Sequence, residues 1–87
     1  MKIRDGYLLR KVGNDHIVVT VGKASEEFRG MIKLNDTAAG IWKWIDQGLE
    51  PDQIVDKLTE QYDVSAETAK QAVADMIQNM QDNGILV

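Results

Sequence analysis

The chain has 87 residues, of which 44% are hydrophobic and 28% are charged, and it contains no cysteine. A chain of this length supports one hydrophobic core, so we expect a single domain over residues 1–87 and exclude a multidomain enzyme. The composition is typical of a folded domain and excludes a disordered tail, and the lack of cysteine excludes a disulfide framework and a thiolate metal site.

Two short segments rich in apolar and β-branched residues, 7–12 and 16–21, flank the turn-forming sequence GND at residues 13–15. This pattern predicts a β-hairpin. Residues 22–30 are predicted to form a polar loop with one large apolar residue, Phe28, and residues 31–34 to form a third strand. The three strands make a meander, in which at least one outer edge has unpaired backbone groups.

After residue 34 the apolar period changes from two to about 3.6 residues, which predicts three helices. The first covers residues 37–47, the second begins at Pro51, and the third is capped by Ser65 and ends at residues 83–84. Glu50 is a poor N-cap, so we expect the start of the second helix to fray. Three strands followed by three helices define an α+β, winged-helix-like fold with a three-stranded antiparallel β-meander.

The first predicted helix carries two tryptophans in different positions. Trp42 continues the apolar stripe and is expected to anchor the core. Trp44 lies about 110° from the centre of that stripe, because an α-helix turns about 100° per residue. Trp44 is therefore expected either to be partly exposed and contact a partner or to close one margin of a small core.

No residue pattern indicates catalysis. His16, the only histidine, has no second His and no Cys at metal-ligand spacing, and it is expected to be a half-exposed strand residue. The carboxylates of the predicted helices fall mostly on their polar sides, and no nucleotide-binding or calcium-binding motif is present. The sequence therefore predicts no enzymatic activity, no catalytic residue, no metal site and no cofactor.

The charged residues are distributed unevenly. Residues 1–34 contain seven Lys and Arg against four Asp and Glu, whereas residues 35–87 contain three against ten. Nucleic-acid binders concentrate basic residues on the element that meets the phosphates, so the acidic helical part predicts no nucleic-acid partner. Residues 1–6, MKIRDG, have no long apolar core, which predicts no signal peptide. No later segment approaches the roughly 18 apolar residues of a membrane span, which predicts no membrane partner and a cytoplasmic location.

The predicted architecture offers one binding mechanism. If the third helix lies beside the free edge of the third strand, the two form a groove with unpaired backbone groups on one wall and apolar side chains on the other. An extended peptide fits such a groove by adding a strand. A proline in place of Ile32 is expected to remove one backbone donor from this groove.

Two parts of the sequence resemble a known family. Residues 31–42, MIKLNDTAAGIW, are similar to the LNETAAxIW segment of the PqqD-like family, whose fold is also called the RiPP recognition element. Residues 54–58 (IVDKL), 62–64 (YDV) and 74–86 (ADMIQNMQDNGIL) follow in the order and spacing of the family's C-terminal half. With the preceding strands, the resemblance covers residues 6–87.

The resemblance implies a non-catalytic peptide chaperone. Members bind the leader region of a ribosomally made precursor peptide, as a strand beside the third strand and the third helix, and present it to a modifying enzyme such as a radical SAM enzyme. Residues 22–30 lack the APE-like segment of the pyrroloquinoline quinone pathway members, which implies a relative that serves another peptide pathway. Carried over by position, the peptide-binding residues are Phe28, Arg29, Gly30, Met31, Ile32, Lys33 and Leu34 around the strand and Lys70, Val73, Ala74, Ile77 and Gln81 on the helix.

Two other interpretations are compatible with the same order of elements. A winged-helix DNA-binding regulator would use residues 65–83 as its recognition helix, but that segment has three acidic residues against Lys70 and no arginine. A simple interaction or dimerisation domain would pair its open strand edge with a second copy, which makes a homodimer the other alternative.

Overall fold

The computed structural model describes residues 1–27 and 30–87. Within these residues a three-stranded antiparallel sheet is followed by three long helices, which confirms the predicted winged-helix-like α+β fold. In chain order the elements are β1 (Tyr7–Val12), β2 (Asp15–Thr20), α1 (Ala24–Glu27), β3 (Ile32–Leu34), α2 (Asp36–Asp46), α3 (Pro51–Gln61) and α4 (Ala66–Asp82).

The sheet has the strand order β1-β2-β3. Val12 pairs with Asp15, so a two-residue turn of Gly13 and Asn14 joins β1 to β2. Gly13 has a φ of +62°, a left-handed backbone conformation that glycine adopts without a steric penalty. Because β2 is the central strand, β1 and β3 are the two edge strands of the described sheet.

The hydrophobic core lies between one face of this sheet, which we call the inner face, and helices α2, α3 and α4. The inner face contributes Tyr7 and Val18, and the half-buried Leu9, Ile32 and Leu34 pack against the same core. The largest fully buried side chains come from the central strand and all three helices: Ile41, Ile45, Ile54, Leu58, Met80, Val18 and Val73. The long helices therefore pack on one face of the sheet.

Side-chain caps fix the start of two of these helices. The Asn35 side chain accepts a hydrogen bond from the backbone N–H of Ala38 at 2.8 Å, which starts α2 one residue earlier than predicted. At α4 the Ser65 hydroxyl accepts from the backbone N–H of Thr68 at 3.1 Å, as the sequence predicted. Each cap satisfies one of the backbone donors that a helix leaves free at its first turn.

The start of α3 is hydrogen-bonded, contrary to the expectation that it would fray. Fraying was expected because glutamate is a poor cap, but the backbone N–H of Glu50 donates to the side-chain oxygen of Gln53 at 2.8 Å. This is the reciprocal half of a capping box, in which the third helical residue reaches back to the cap residue. Together with Pro51 at the first helical position, it defines the helix start.

The segment before β3 is not entirely the polar loop that the sequence predicted, because it contains the single helical turn α1. Ser25 donates from its hydroxyl to the carbonyl oxygen of Gly22 at 2.6 Å, and Ala24 is buried in the core. One turn has no repeating apolar period, so a period-based reading of the sequence does not detect it.

Trp44 is buried, with 9% of its surface exposed, so the expectation of partial exposure was wrong and the second alternative describes its position. Its ring lies against Gly40, where an added Cβ would be 3.4 Å from two ring carbons. Trp44 therefore closes one margin of the core.

Replacing Gly6 with alanine is expected to destabilise the fold. Gly6 has a φ of +93°, and an added Cβ would lie 2.7 Å from the Ala24 side chain and 2.8 Å from the carbonyl oxygen of Val21. Overpacking and an unfavourable φ each cost on the order of 1–3 kcal/mol. Chemical denaturation should show the loss of unfolding free energy. The control is Gly13→Ala, which also has a positive φ but where an added Cβ meets nothing within 4 Å, so it shows the cost of the backbone conformation without a clash. Equal losses for the two variants would contradict a clash at Gly6.

The two ends of the described chain pair with each other outside the main sheet. Ile3 and Leu86 form an isolated antiparallel bridge, and the backbone N–H of Arg4 donates to the carbonyl oxygen of Ile85 at 2.7 Å. Ile3 and Ile85 are both buried, so this bridge belongs to the core. Across the described residues, no helix combines the length and the apolar character that crossing a membrane requires.

Candidate functional site

The hydrogen-bonding pattern of the sheet determines which backbone groups are free at the candidate site. The backbone N–H of Val21 donates to the carbonyl oxygen of Gly6 at 2.8 Å. In an antiparallel pair, hydrogen-bonded and non-hydrogen-bonded positions alternate, so every second residue of β2, counted from Val21, bonds to β1. The residues between them, including His16 and Val18, direct their backbone groups toward β3.

The same alternation fixes which groups of β3 are used inside the sheet. Ile32 is paired with Val18, and Leu34 with His16, so the backbone groups of Ile32 and Leu34 bond to β2. The backbone N–H and C=O groups of Lys33, and of Met31 before it, therefore point to the free edge. This corrects the expectation for Ile32, since a proline there would remove a hydrogen bond of the sheet and not a donor of the edge.

A groove runs between this edge and α4. Its volume is about 430 Å³. Ile32 and Leu34 form its strand side, and Ala72 and Met76 form its helix side, with the buried Ile41 between them. The complete lining is Ile32, Lys33, Leu34, Asn35, Thr37, Ala38, Ile41, Ala72, Asp75, Met76 and Asn79. The lining combines an apolar interior with one cationic and one anionic side chain.

Both charged residues of the groove already interact with other groups. The Lys33 ammonium lies 3.3 Å from the Asp15 carboxylate, and both side chains are largely exposed. The Asp75 carboxylate accepts a hydrogen bond from the side-chain amide of Gln71 at 2.8 Å. Because the pair Lys33–Asp15 is exposed to solvent, it contributes little to stability, and Lys33 can exchange this partner for another carboxylate.

The predicted residues of the strand lie together at this edge. Gly30 and Met31 are exposed, with 70% of the Met31 surface accessible, while Ile32 and Leu34 are half-buried and Lys33 is exposed between them. Two other predicted residues, Phe28 and Arg29, lie outside the described residues.

The predicted residues of the helix do not face the same groove. Lys70, Val73, Ala74 and Ile77 line a second groove of about 390 Å³, which α4 forms with α3. Its other lining residues are Pro51, Asp52, Val55 and Gln78. Gln81, the fifth predicted position, is exposed and lines neither groove. The structure therefore brings the described strand residues together, but it places Lys70, Ala74 and Ile77 on the opposite side of the buried stripe of α4, to which Val73 belongs.

The residues of α4 that do flank the strand edge were not predicted: Ala72, Asp75, Met76 and Asn79. Ala72, Met76 and Asn79 follow the spacing i, i+4, i+7, which places them on one side of a helix. The sequence carries this spacing, but it carries equally good spacing on the other side of the buried residues Ala69, Val73 and Met80. Which side faces β3 depends on tertiary packing.

His16 links the sheet to α2. Its Nε2 atom lies 2.8 Å from the Asp36 carboxylate at the first residue of α2, and 12% of the His16 side chain is exposed. This contact ties the central strand to the first turn of α2. Among residues 1–27 and 30–87, no group of three or more potential ligands is arranged to hold a metal ion.

Comparisons with known proteins agree on the fold. Two solved structures are similar over 99% of this chain: "TbiB1 in Complex with the TbiA(beta) Leader Peptide", with a TM-score of 0.79 and 20% identity over 94% of that chain, and "Lasso peptide synthetase B1 complexed with the leader peptide", with a TM-score of 0.80 and 22% identity over 95% of that chain. A search of curated proteins gave no match.

The family model described as coenzyme PQQ synthesis protein D (PqqD) matches residues 16–86. The match includes β2 except for its first residue, β3 and the three long helices, and thus both walls of the strand-edge groove. It also contains the two segments, at residues 31–42 and 54–86, on which the resemblance was based. The chain therefore belongs to the PqqD family.

Proposed function

We propose that this chain is a non-catalytic chaperone that binds the leader region of a ribosomally synthesised precursor peptide, as a strand added beside β3. The observation that carries the proposal is the free edge of β3, where the backbone groups of Met31 and Lys33 face an apolar groove. An extended peptide gains backbone hydrogen bonds from such an edge and side-chain burial from such a groove.

The similar structures support this proposal, because both are described as complexes with a leader peptide. Family membership supports it as well, since the strand-edge groove lies within the matched residues. No cofactor is required for binding of this kind, and we propose no enzymatic activity for the chain.

The groove predicts the chemistry of the bound segment. Side chains alternate between the two faces of an added strand, as they do in β3. Peptide side chains opposite Ile32 and Leu34 enter the groove, whereas a side chain opposite Lys33 lies on the other face of the sheet. We therefore expect two apolar peptide residues at positions i and i+2, separated by a residue that tolerates solvent.

The lining of the groove determines which residues of α4 we assign to the peptide site. We assign the helix side of the peptide site to Ala72, Met76 and Asn79, because these residues line the groove beside β3. Lys70, Val73, Ala74, Ile77 and Gln81, which the family resemblance implied, then have no direct contact with the peptide.

The partner set that we propose is the precursor peptide and the enzyme that modifies it, with a radical SAM enzyme as one candidate class. A DNA-binding role is less well supported, because α4, the candidate recognition helix, contains Glu67, Asp75 and Asp82 against Lys70 alone. Self-association through β3 would compete with the peptide for the same edge.

The test is a titration of the isotopically labelled chain with a synthetic leader peptide from a precursor gene adjacent to its own gene. Amide shifts at Met31 and Lys33 and along the Ala72, Met76 and Asn79 side of α4 are expected. Shifts confined to the groove between α3 and α4 would contradict the proposed site. An unchanged spectrum with every adjacent leader peptide would overturn the proposed function.

A matched pair of substitutions sharpens the test. Met76 and Ile77 are adjacent, apolar and both half-buried, but they line different grooves. Met76→Ala is expected to weaken leader binding by about 5- to 10-fold, because it removes about 1–1.4 kcal/mol of apolar burial, whereas Ile77→Ala leaves the affinity unchanged. Calorimetric titration measures both variants, and the reverse order of effects would place the peptide in the groove between α3 and α4.

A further inference from the structure

The sheet has a second apolar face. A three-stranded antiparallel sheet with its core on one face normally presents polar residues on the other. Here the alternation of side chains places six apolar residues on the face opposite the core, which we call the outer face. These residues are Leu8, Val12, Ile17, Val19, Val21 and Met31.

The outer face does not belong to the hydrophobic core of the described residues. Leu8, Ile17 and Val19 are half-buried, but they are neither in the core cluster nor among the residues packed against it. At the periphery, Val12 is 60% exposed and Met31 is 70% exposed. Large apolar side chains that remain exposed together mark an interaction surface.

The charges on the outer face favour an acidic partner. Ile17, at the centre, is paired with Arg10 of β1 and with Lys33 of β3. Among the described residues Arg10 forms no salt bridge, and its guanidinium donates to the carbonyl oxygen of its own neighbour Leu9 at 3.1 Å. Asp15 is the one carboxylate on this face of the strands, and it is engaged by Lys33. A partner whose contact surface is apolar and carries carboxylates at its rim is therefore complementary to the outer face.

The position of the face points to the identity of this partner. Met31 and Lys33 belong both to the outer face and to the edge at which the leader is proposed to bind. A leader strand added beside β3 extends the outer face by one strand and places every second leader side chain on it. A protein docked there contacts the sheet and the leader together.

We propose that the outer face docks the enzyme that modifies the bound precursor, through an apolar surface of the enzyme that has acidic residues at its rim. This inference rests on the proposed function. A second copy of the chain fits less well, because it would place Arg10 and Lys33 against the same basic residues. The face alone is also small, at no more than about 14 by 20 Å because β1 and β2 have six residues and β3 has three, against about 800 Å² per partner in a stable interface, so the docked protein needs the added leader strand as part of its contact surface.

The experiment measures binding of the purified enzyme that acts on the same precursor to the chain loaded with saturating leader peptide. The test variant is Ile17→Glu. A glutamate at this position lies between Arg10 and Lys33, so cross-strand pairing supports the fold while the apolar centre is removed and the local positive charge is neutralised. The matched control is Val64→Glu, a valine that is 36% exposed in the connection between α3 and α4.

Ile17→Glu is expected to weaken enzyme binding at least about tenfold, as loss of a central interface residue does, and to leave the leader affinity unchanged. Val64→Glu should change neither quantity. Because the enzyme contacts the leader strand as well, it should bind the leader-loaded chain more tightly than the free chain.

The outcomes separate this inference from the function on which it rests. Normal enzyme binding by Ile17→Glu, or no enzyme binding by the leader-loaded wild-type chain, overturns the docking face and leaves leader binding intact. A wild-type chain that does not bind the leader overturns the proposed function instead. A concentration-dependent dimer in light scattering that Ile17→Glu abolishes would assign the outer face to a second copy and also overturn the inference.

Discussion

Trp42→Ala is expected to lower the free energy of unfolding by about 3–5 kcal/mol, the range for truncation of a buried aromatic residue. Trp42 is 3% exposed and belongs to the core cluster, where α2 faces the inner side of the sheet. Small domains have a total stability of about 5–15 kcal/mol, so this one substitution removes a large part of it. Urea denaturation followed by circular dichroism measures the loss.

A conservative variant distinguishes lost packing from a general intolerance of substitution. Trp42→Phe retains most of the apolar area and should cost clearly less than the alanine variant. Val64→Ala, at the partly exposed valine between α3 and α4, should be close to neutral. An alanine variant at residue 42 with near-native stability would contradict the position of α2 in the core.

Lys33→Pro is expected to weaken leader binding by about 10- to 100-fold while leaving the fold intact. The backbone N–H of Lys33 faces the free edge of β3, where the sheet tolerates proline. In the complex the same proline leaves a carbonyl group of the leader without a donor, at a cost of about 1–3 kcal/mol. Calorimetric titration gives the affinity, and a thermal melt of the free variant gives its stability.

Two comparison variants separate the effect of the Lys33 backbone N–H from the effects of its side chain and of the sheet. Lys33→Ala keeps the N–H and removes the exposed ion pair with Asp15, so its affinity should stay within a few-fold of the wild type. Ile32→Pro removes a hydrogen bond between β3 and β2 and should destabilise the free protein. If Lys33→Pro bound the leader as tightly as Lys33→Ala, strand addition at β3 would be wrong.

The order of elements could be predicted from the sequence because each long element carries a strong local signal. The alternation around Gly13 and Asn14, the cap at Ser65 and the proline at residue 51 are properties of neighbouring residues, and the structure confirms each of them. A single helical turn shows no repeating period, which explains why α1 was predicted as loop. The contact of Gln53 with Glu50 has a local signal, a glutamine three residues after the cap, and the expectation of fraying considered the cap residue alone.

The candidate site could be predicted only in part. The strand wall follows from the chain order, since the third strand of a meander is an edge strand. The helix wall does not, because α4 buries Val73 and Met80 and leaves a usable surface on each side of them. Packing of the whole helix against α3 and the sheet decides which surface meets β3, and no local pattern encodes that choice.

The short length of β3 has a kinetic consequence. Among residues 30–34, the described part of this strand, Met31 and Lys33 direct backbone groups to the free edge, so an added strand gains few main-chain hydrogen bonds there, each worth about 1 kcal/mol net. Most of the affinity for an added strand must then come from side chains in the groove. For a Kd of about 1 μM, an association rate of about 10⁶ M⁻¹s⁻¹ corresponds to dissociation in about one second. Under the proposed function, dissociation at this rate lets one copy of the chain serve many precursor molecules in turn.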